Sequence, residues 1–275
     1  MKFTKIKTAV FLLPIAAATL LGYAHLETYW VQIAKTEIKS ADLPTEFSGK
    51  KITFISDLHC QENFDPKRLG NIATRINSLK PDIIILGGDY IDRDGKFVDD
   101  CFSQLATLDA PLGKFGILGN HDIEAGFDKI KDAMVKNGIT PLVNENRQVA
   151  INGRSITIAG VDETWYGNPD GAKTMQNAAP FTVYIEHDPS YFEKYYPQGA
   201  DLLLAGHTHG GQVTLFGIPF ASLIHRHHYK YEKGVFNEPG RTVIVSNGIG
   251  ATVLPLRFFC RPQINLITLK KRDLE

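Results

Sequence analysis

From Ile52 onward the chain alternates short apolar runs with polar stops, and the stops resemble one another. The runs read ITFIS before Asp57-Leu58-His59, IIILGG before Asp89, FGILG before Asn120-His121-Asp122, TVYIE before His187 and LLLAG before His207-Thr208-His209; TIAGV before Asp162 is a less clear sixth. Between the early runs the spacing turns helical. Leu69, Ile72, Ile76 and Leu79 share one helix face and predict a helix over 66–79 that stops before Pro81. The next strand, 82–86, is apolar throughout, as a strand covered on both faces would be. A helix over 98–108, a strand over 114–118 and a helix over 126–137 follow, the last ended by Gly138. This strand–helix rhythm predicts parallel strands with right-handed crossovers. The rhythm then shifts to strand-like stretches at 141–150, 155–161, 181–186, 202–205, 213–216, 241–246 and 264–269, with few helices between them. The expected fold is α/β: a four-layer sandwich of two mixed β-sheets flanked by helices. Pro44, Ser48 and Gly49 break periodicity over 31–50, which reads as a connector, so the compact domain is expected over 51–275.

Before the connector the pattern is different. Lys2, Lys5 and Lys7 precede an uncharged, largely apolar stretch, 8–24, with Pro14 and Gly22 inside it. Its roughly 17 residues are at the short limit for a spanning helix and long for a signal peptide. The small residues Ala16, Ala17 and Ala18 suit a cleaved signal; Leu20, Leu21, Tyr23, Tyr29 and Trp30 continue the apolar and aromatic character and favour an uncleaved anchor helix over 1–30. With its lysines inside, the anchor would place the main domain on the outer, periplasmic side of a bacterial inner membrane.

Composition adds exclusions. Apolar residues make up 43% of the 275, enough for a real core, so disorder is not a serious reading. Thirty basic and thirty acidic residues cancel, so no global field favours nucleic acid and no nucleic-acid partner is expected. Cys60, Cys101 and Cys260 are an odd count without CxxC spacing, against a disulfide scaffold or zinc ribbon; a lone Cys101–Cys260 bridge stays open.

The polar stops carry the chemistry. Parallel strands deliver their C-terminal ends to one edge, where open α/β sheets bind ligands. Gathered there, the first five clusters offer at least two carboxylates, an amide oxygen and four imidazoles, enough for a two-metal centre. Asp57 and His59 would alternate along an extended tail, with Leu58 pointing away. Gly88, Gly119 and Gly206 each precede a polar stop, where a missing side chain permits a sharp turn or a close approach. Asp89 has two oxygens for two cations. Other candidates read more plainly: Asp162 as a hydrogen-bonding neighbour or turn residue, Cys60 as an incidental thiol, and His225-Arg226-His227-His228 as a solvated loop or a phosphate-facing rim. The segments 216–221 and 253–259 are apolar for loops, either core or an apolar rim with Arg226, Arg257 or Arg261 near phosphate.

The ordered set Asp57-x-His59, Gly88-Asp89, Gly119-Asn120-His121-Asp122, His187 and Gly206-His207-Thr208-His209 resembles the calcineurin-like metallophosphoesterase superfamily. Within it the chain looks similar to a membrane-anchored bacterial branch of small phosphodiesterases and UDP-2,3-diacylglucosamine pyrophosphatases. The resemblance implies one divalent metal on Asp57, His59, Asp89 and His209, and a second on Asp89, Asn120, His187 and His207. It implies attack by a metal-bridged hydroxide on a phosphodiester or pyrophosphate, and His121 beside the leaving oxygen as a catalytic group rather than a ligand. Asp92 matches the position that orients this histidine, and Asp122 is the competing partner. Mn, Fe, Zn or Ni would suit the donors. A membrane-associated or lipid-linked substrate is expected, with UDP-2,3-diacylglucosamine hydrolysis in lipid A synthesis as the specific alternative. A protein phosphatase ranks lower, because Asp122 stands where that branch has Glu. A non-catalytic metal-binding protein ranks lower still, because the ligand set is complete.

Overall fold

The computed structural model describes residues 2–61, 64, 66–195, 197–215, 217–220 and 230–272. Two six-stranded mixed sheets dominate it. In the first sheet, strands β2 (Lys51–Ile55), β3 (Ile83–Leu86), β4 (Lys114–Gly116) and β5 (Thr140–Pro141) run parallel in sequence order, joined by helices α2 (Pro66–Ser78), α3 (Val98–Leu105) and α4 (Asn120–Lys136). The expected crossovers are there. Strand β14 (Gln263–Lys271) lies antiparallel to β2 and closes that side, and β1 (Gln32–Ser40) pairs parallel with β14 over nine residues. Half of the stretch read as a connector is therefore an edge strand, because its alternation is recognised only by a partner from the far end of the chain.

The second sheet orders β12 (Gly234–Glu238), β13 (Arg241–Val245), β9 (Leu202–Ala205), β8 (Thr182–Ile185), β7 (Arg154–Gly160) and β6 (Glu145–Ile151). Strands β13, β9, β8 and β7 are parallel, with antiparallel β12 and β6 at the edges, and the short strands β10 (Thr214–Leu215) and β11 (Ile218–Pro219) pair with each other outside both sheets. The single strand expected over 141–150 is split between β5 and β6, so this stretch crosses from one sheet to the other. Asn144 makes the crossing at φ 54°, and its Oδ1 accepts N–H groups of Asp162 and Asp170.

The sheets share a core. Ile52, Phe54, Ile83 and Ile85 from the first meet Ile158, Val183, Ile185 and Leu204 from the second. Each such side chain stabilises by about 1.5–3 kcal/mol when fully buried. The other face of the first sheet is covered by Leu69, Ile72 and Ile76 of α2, Phe102 and Leu105 of α3, and Ile130 and Met134 of α4. After the four-residue helix α5 (Gly171–Thr174), Tyr191 and Phe192 of helix α6 (Ser190–Lys194) pack on the outer face of the second sheet with Tyr184 and Leu203. Helices thus flank both sheets, as the apolar pattern required.

Residues Lys2–Glu27 form helix α1. Leu13, Ile15, Leu20, Leu21 and Leu26 are exposed on it, followed by exposed Tyr29 and Trp30. Among the described residues, no helix is long and apolar enough to cross a membrane, so the structure does not support the spanning anchor. The physical reason lies at both ends of the apolar stretch. Lys2, Lys5 and Lys7 end it at one side, Pro14 interrupts it, and its last turns are spent on the domain. Ala24 O accepts the N–H of Arg257, Tyr23 packs edge-on against Phe258, and the buried Glu27 carboxylate accepts the N–H groups of Phe259 and Cys260 at 2.9 and 2.7 Å.

Candidate metal centre

All the predicted site residues follow strand C-termini of the two sheets: Asp57 and His59 after β2, Asp89 and Asp92 after β3, Asn120 and His121 after β4, His187 after β8, His207 and His209 after β9. The tails keep hydrogen-bonding after the strands end: Asp57 N–H donates to Gly88 O, His59 N–H to Asp89 O, Cys60 N–H to Tyr90 O, and Gly206 N–H to His187 O. They are not extended. Asp57, His59, Asp89, His207 and His209 have φ of 53°, 46°, 53°, 66° and 52°. Non-glycine residues pay of order 1–3 kcal/mol for this region, and they hold it where the surroundings enforce it, typically at functional sites. The expected alternation of Asp57 and His59 along a straight tail is thereby corrected. Two successive backward turns, rather than a pleat, aim both side chains at the same point. Close approach also requires glycine. A Cβ on Gly119 would lie 2.2 Å from Asp89 Oδ1, and one on Gly206 would lie 2.6 Å from Asp57 Oδ2.

Two groups of ligand atoms result, Asp57 with His59 and His209, and Asp89 with His187 and His207. His59 Nε2 lies 3.0 Å from His209 Nε2, and His209 Nε2 is 3.8 Å from Asp57 Oδ1. Asp89 Oδ2 stands between the groups, 3.1 Å from His187 Nε2 and 3.5 Å from His59 Nε2. Asn120 Oδ1 is 3.0 Å from His207 Nδ1. The structure therefore brings all seven expected ligands into one cluster. Their chemistry fits divalent cations. His187 Nε2 is fully buried without a hydrogen-bond partner while facing two carboxylates, and such orphaned atoms are rare in proteins. Its other nitrogen, Nδ1, is fixed by Gly87 O at 2.8 Å, the arrangement that leaves Nε2 free for a ligand. Burial, reinforced by neighbouring imidazoles, lowers the pKa of His207 and His209, keeping them neutral as metal ligands must be. For His187, burial acts downward but the Asp89 and Asp57 carboxylates prevail and raise it. Burial acts upward on Asp89, and the surrounding histidines, His187 first, outweigh it.

Beside this cluster lies a third group, His59, Asp92 and His121. Asp92 Oδ1 is 3.2 Å from His121 Nδ1 and 3.7 Å from His59 Nδ1. Asp122, the alternative partner for His121, faces elsewhere. Its two oxygens accept the N–H groups of Asp89, Tyr90, Ile91 and Gly119, which cap the start of α4 and strap the β3 tail to it. Burial and the Asp89 charge raise this carboxyl to about 7, against those N–H donors. The cap also explains why α4 begins at Asn120 instead of 126. Gly126, φ 123°, is a kink inside the helix rather than its first residue.

Other expectations fare differently. Asp162 is a turn residue, its oxygens accepting N–H from Glu163 and Asn168. The three cysteines are free and buried, so Cys101 and Cys260 are not bridged; Cys260 Sγ donates toward His209 O and Gly210 O. Arg257 is not at a phosphate. It is fully buried, and its guanidinium donates to the carbonyls of Asn247, Gly250 and Cys260, pinning the loop under His209. Arg261 Nε donates to Trp30 O. His225, Arg226, His227 and His228 lie outside the described residues. Of 253–259, Val253, Leu254 and Phe259 are exposed, together with Ile218 and Phe220 of the neighbouring turn. Sequence reading missed the acids flanking His187: Glu186 Oε1 accepts the Thr164 hydroxyl, and Asp188 Oδ2 accepts Trp165 Nε1–H. Charged residues on both sides of a strand-end histidine were the available signal.

Comparison with known proteins gives the same picture. Residues 50–211 match the family model described as calcineurin-like phosphoesterase. The metallophosphoesterase YkuE of Bacillus subtilis is 34% identical over 261 residues, covering 92% of this chain and 90% of that protein. The phosphodiesterase YaeI of Escherichia coli is 31% identical over 263 residues, covering 93% and 94%. Among solved structures, the NAD nucleotidase NadN of Haemophilus influenzae superposes with a TM-score of 0.50 at 15% identity, over 73% of this chain and 45% of that one, a likeness of fold.

Proposed function

We infer the reaction from a chain that belongs to the calcineurin-like phosphoesterase family. It is a metal-dependent phosphoester hydrolase. The reading supported best is hydrolysis of a phosphodiester or pyrophosphate, and the observation that carries it is the convergence of two carboxylates, an amide and four imidazoles around Asp89. In this reading Asp57, His59, Asp89 and His209 hold one divalent ion, and Asp89, Asn120, His187 and His207 hold a second. Such ions, when bound, polarise phosphoryl oxygens and lower the pKa of the attacking water. Mn, Fe, Zn and Ni all suit these donors.

The chain's own groups complete the chemistry. In this reading Asp92, its Oδ1 3.2 Å from His121 Nδ1, orients that ring by its charge rather than through a formed hydrogen bond, and His121 supplies the proton to the leaving oxygen. The N-terminus of α4 lies at the centre, where the His121 N–H donates to Asp89 Oδ1 at 3.0 Å, and that end of a helix favours negative charge. A membrane-associated or lipid-linked substrate is the finer part of the reading. It is supported by exposed Val253, Leu254, Phe259, Ile218 and Phe220 next to the loop that Arg257 ties to His209, and by the apolar side chains of α1 on the same loop. The basic start of α1 supports a periplasmic placement. Hydrolysis of UDP-2,3-diacylglucosamine is the specific alternative, and UMP release distinguishes it.

One panel tests these points: the purified full chain on short soluble diesters, phospholipid-like diesters in detergent and a nucleotide-sugar lipid, with Mn added or chelated. Activity should require the metal. Asp89→Asn should lose both bound metal and activity, whereas His121→Ala should keep metal and lose about 10²–10⁴ in rate. Full activity in Asp89→Asn breaks the bridging assignment, and no preference for acylated diesters removes the apolar-rim reading.

A further inference from the structure

Beyond β7 the chain builds a short, heavily braced turn over the metal centre. Asp162 and Glu163 do the bracing: the buried Glu163 carboxylate accepts the N–H groups of Trp165 and Tyr166 at 2.8 and 2.7 Å. Gly167 is packed so tightly that a Cβ there would lie 2.4 Å from Glu163 O. This rigidity serves two aromatic rings that are not in the core. Trp165 is 57% exposed and Tyr166 55%. Both have their polar ends tied. Trp165 Nε1–H donates to the buried Asp188 carboxylate at 2.7 Å, next to His187, and Tyr166 OH donates to Glu124 of α4 at 2.9 Å. Arg93 Nε pairs with the same Glu124 at 3.0 Å. The indole centroid lies 5.2 Å from the His207 ring, tilted by 60°. A group that stays esterified to phosphate at the centre and extends toward His207 therefore passes over an indole already held in place.

We propose that Trp165 is a specificity-determining residue whose exposed indole stacks a planar heterocycle carried by the substrate, a nucleobase on a nucleoside esterified to the scissile phosphate. The assignment rests on the phosphoesterase reading and narrows its substrate class. Holding a large apolar ring half in water adds no core burial, so the bracing has another use. Aromatic faces take up bases by stacking, and a ring pinned by its N–H loses little freedom on binding. The neighbours favour a polar heterocycle over an acyl chain: Arg93, Glu124 and the Tyr166 hydroxyl offer charge and hydrogen bonds, while the apolar loops lie beside His209.

Two p-nitrophenyl esters with the same leaving group test this, thymidine 5′-(p-nitrophenyl phosphate) and methyl p-nitrophenyl phosphate. Trp165→Ala should raise KM for the nucleoside ester roughly 5- to 100-fold with little change in kcat, and leave the methyl ester within about twofold. Trp165→Phe should keep most of the preference. The chain has only two tryptophans, so in Trp30→Phe protein the fluorescence of Trp165 reports binding directly. Thymidine 5′-monophosphate should quench it, and methyl phosphate should not. Equal losses on both esters, or no loss on the nucleoside ester, overturn the proposal, as does the absence of quenching. Quenching without hydrolysis of either ester would support the ring site and count against the phosphoesterase reading.

Discussion

Asp92 serves two imidazoles with one oxygen. Its Oδ1 lies 3.2 Å from His121 Nδ1 and 3.7 Å from His59 Nδ1, so its charge faces the proposed proton donor as well as a proposed ligand, and kinetics separate the two roles. Asp92→Asn should then lower kcat about 10- to 100-fold while a Mn titration followed by calorimetry shows unchanged affinity. A loss of affinity with unchanged kcat would move its role to His59. The seven ligand types were legible one residue at a time, since each polar stop follows an apolar run. Trp165 was not legible. An exposed tryptophan has no pattern, and its significance comes from Asp188, which another strand supplies. The left-handed conformations of Asp57, His59, Asp89, His207 and His209 were equally hidden, because aspartate and histidine only tolerate that region and nothing local demands it.

At the scale of elements, the turn between β4 and α4 concentrates the most function in the fewest residues. Gly119 caps the helix, Asn120 and His121 face the centre, and Asp122 straps the helix to the β3 tail. Gly119→Ala inserts a methyl 2.2 Å from Asp89 Oδ1 and 2.7 Å from its backbone nitrogen. The backbone there cannot give freely, so Asp89 must shift, and a shift of about 1 Å costs on the order of 100-fold in rate. Steady-state kinetics beside circular dichroism would check this, with the spectrum unchanged. Periodicity located α2, α3 and β3 well, because each buries a regular apolar face. It placed the start of α4 too late, since the first turn is polar and serves the site. It also joined β5 to β6, since nothing local to 141–150 says that the chain changes sheets.

For the whole molecule, the notable coupling runs from α1 to the centre. Glu27 holds the N–H groups of Phe259 and Cys260, and that loop carries Arg257, which reaches His209 O at 3.4 Å. Glu27→Ala would leave two N–H groups without their acceptor, a cost of about 2 kcal/mol and a Tm lower by roughly 4–8 °C in calorimetry. Glu27→Gln should recover part of it, and an unchanged Tm would show that the helix end is not structurally joined to the domain. The amino-acid sequence by itself determined the layered α/β scheme, the parallel crossovers and the set of candidate ligand side chains, because apolar periodicity and residue chemistry are local properties. Tertiary structure alone decided that β1 completes a sheet, that α1 ends docked on the domain, that Asp92 rather than Asp122 meets His121, and that Trp165 stands over His207. Each of those depends on which distant segments pack together. No window of sequence contains both partners.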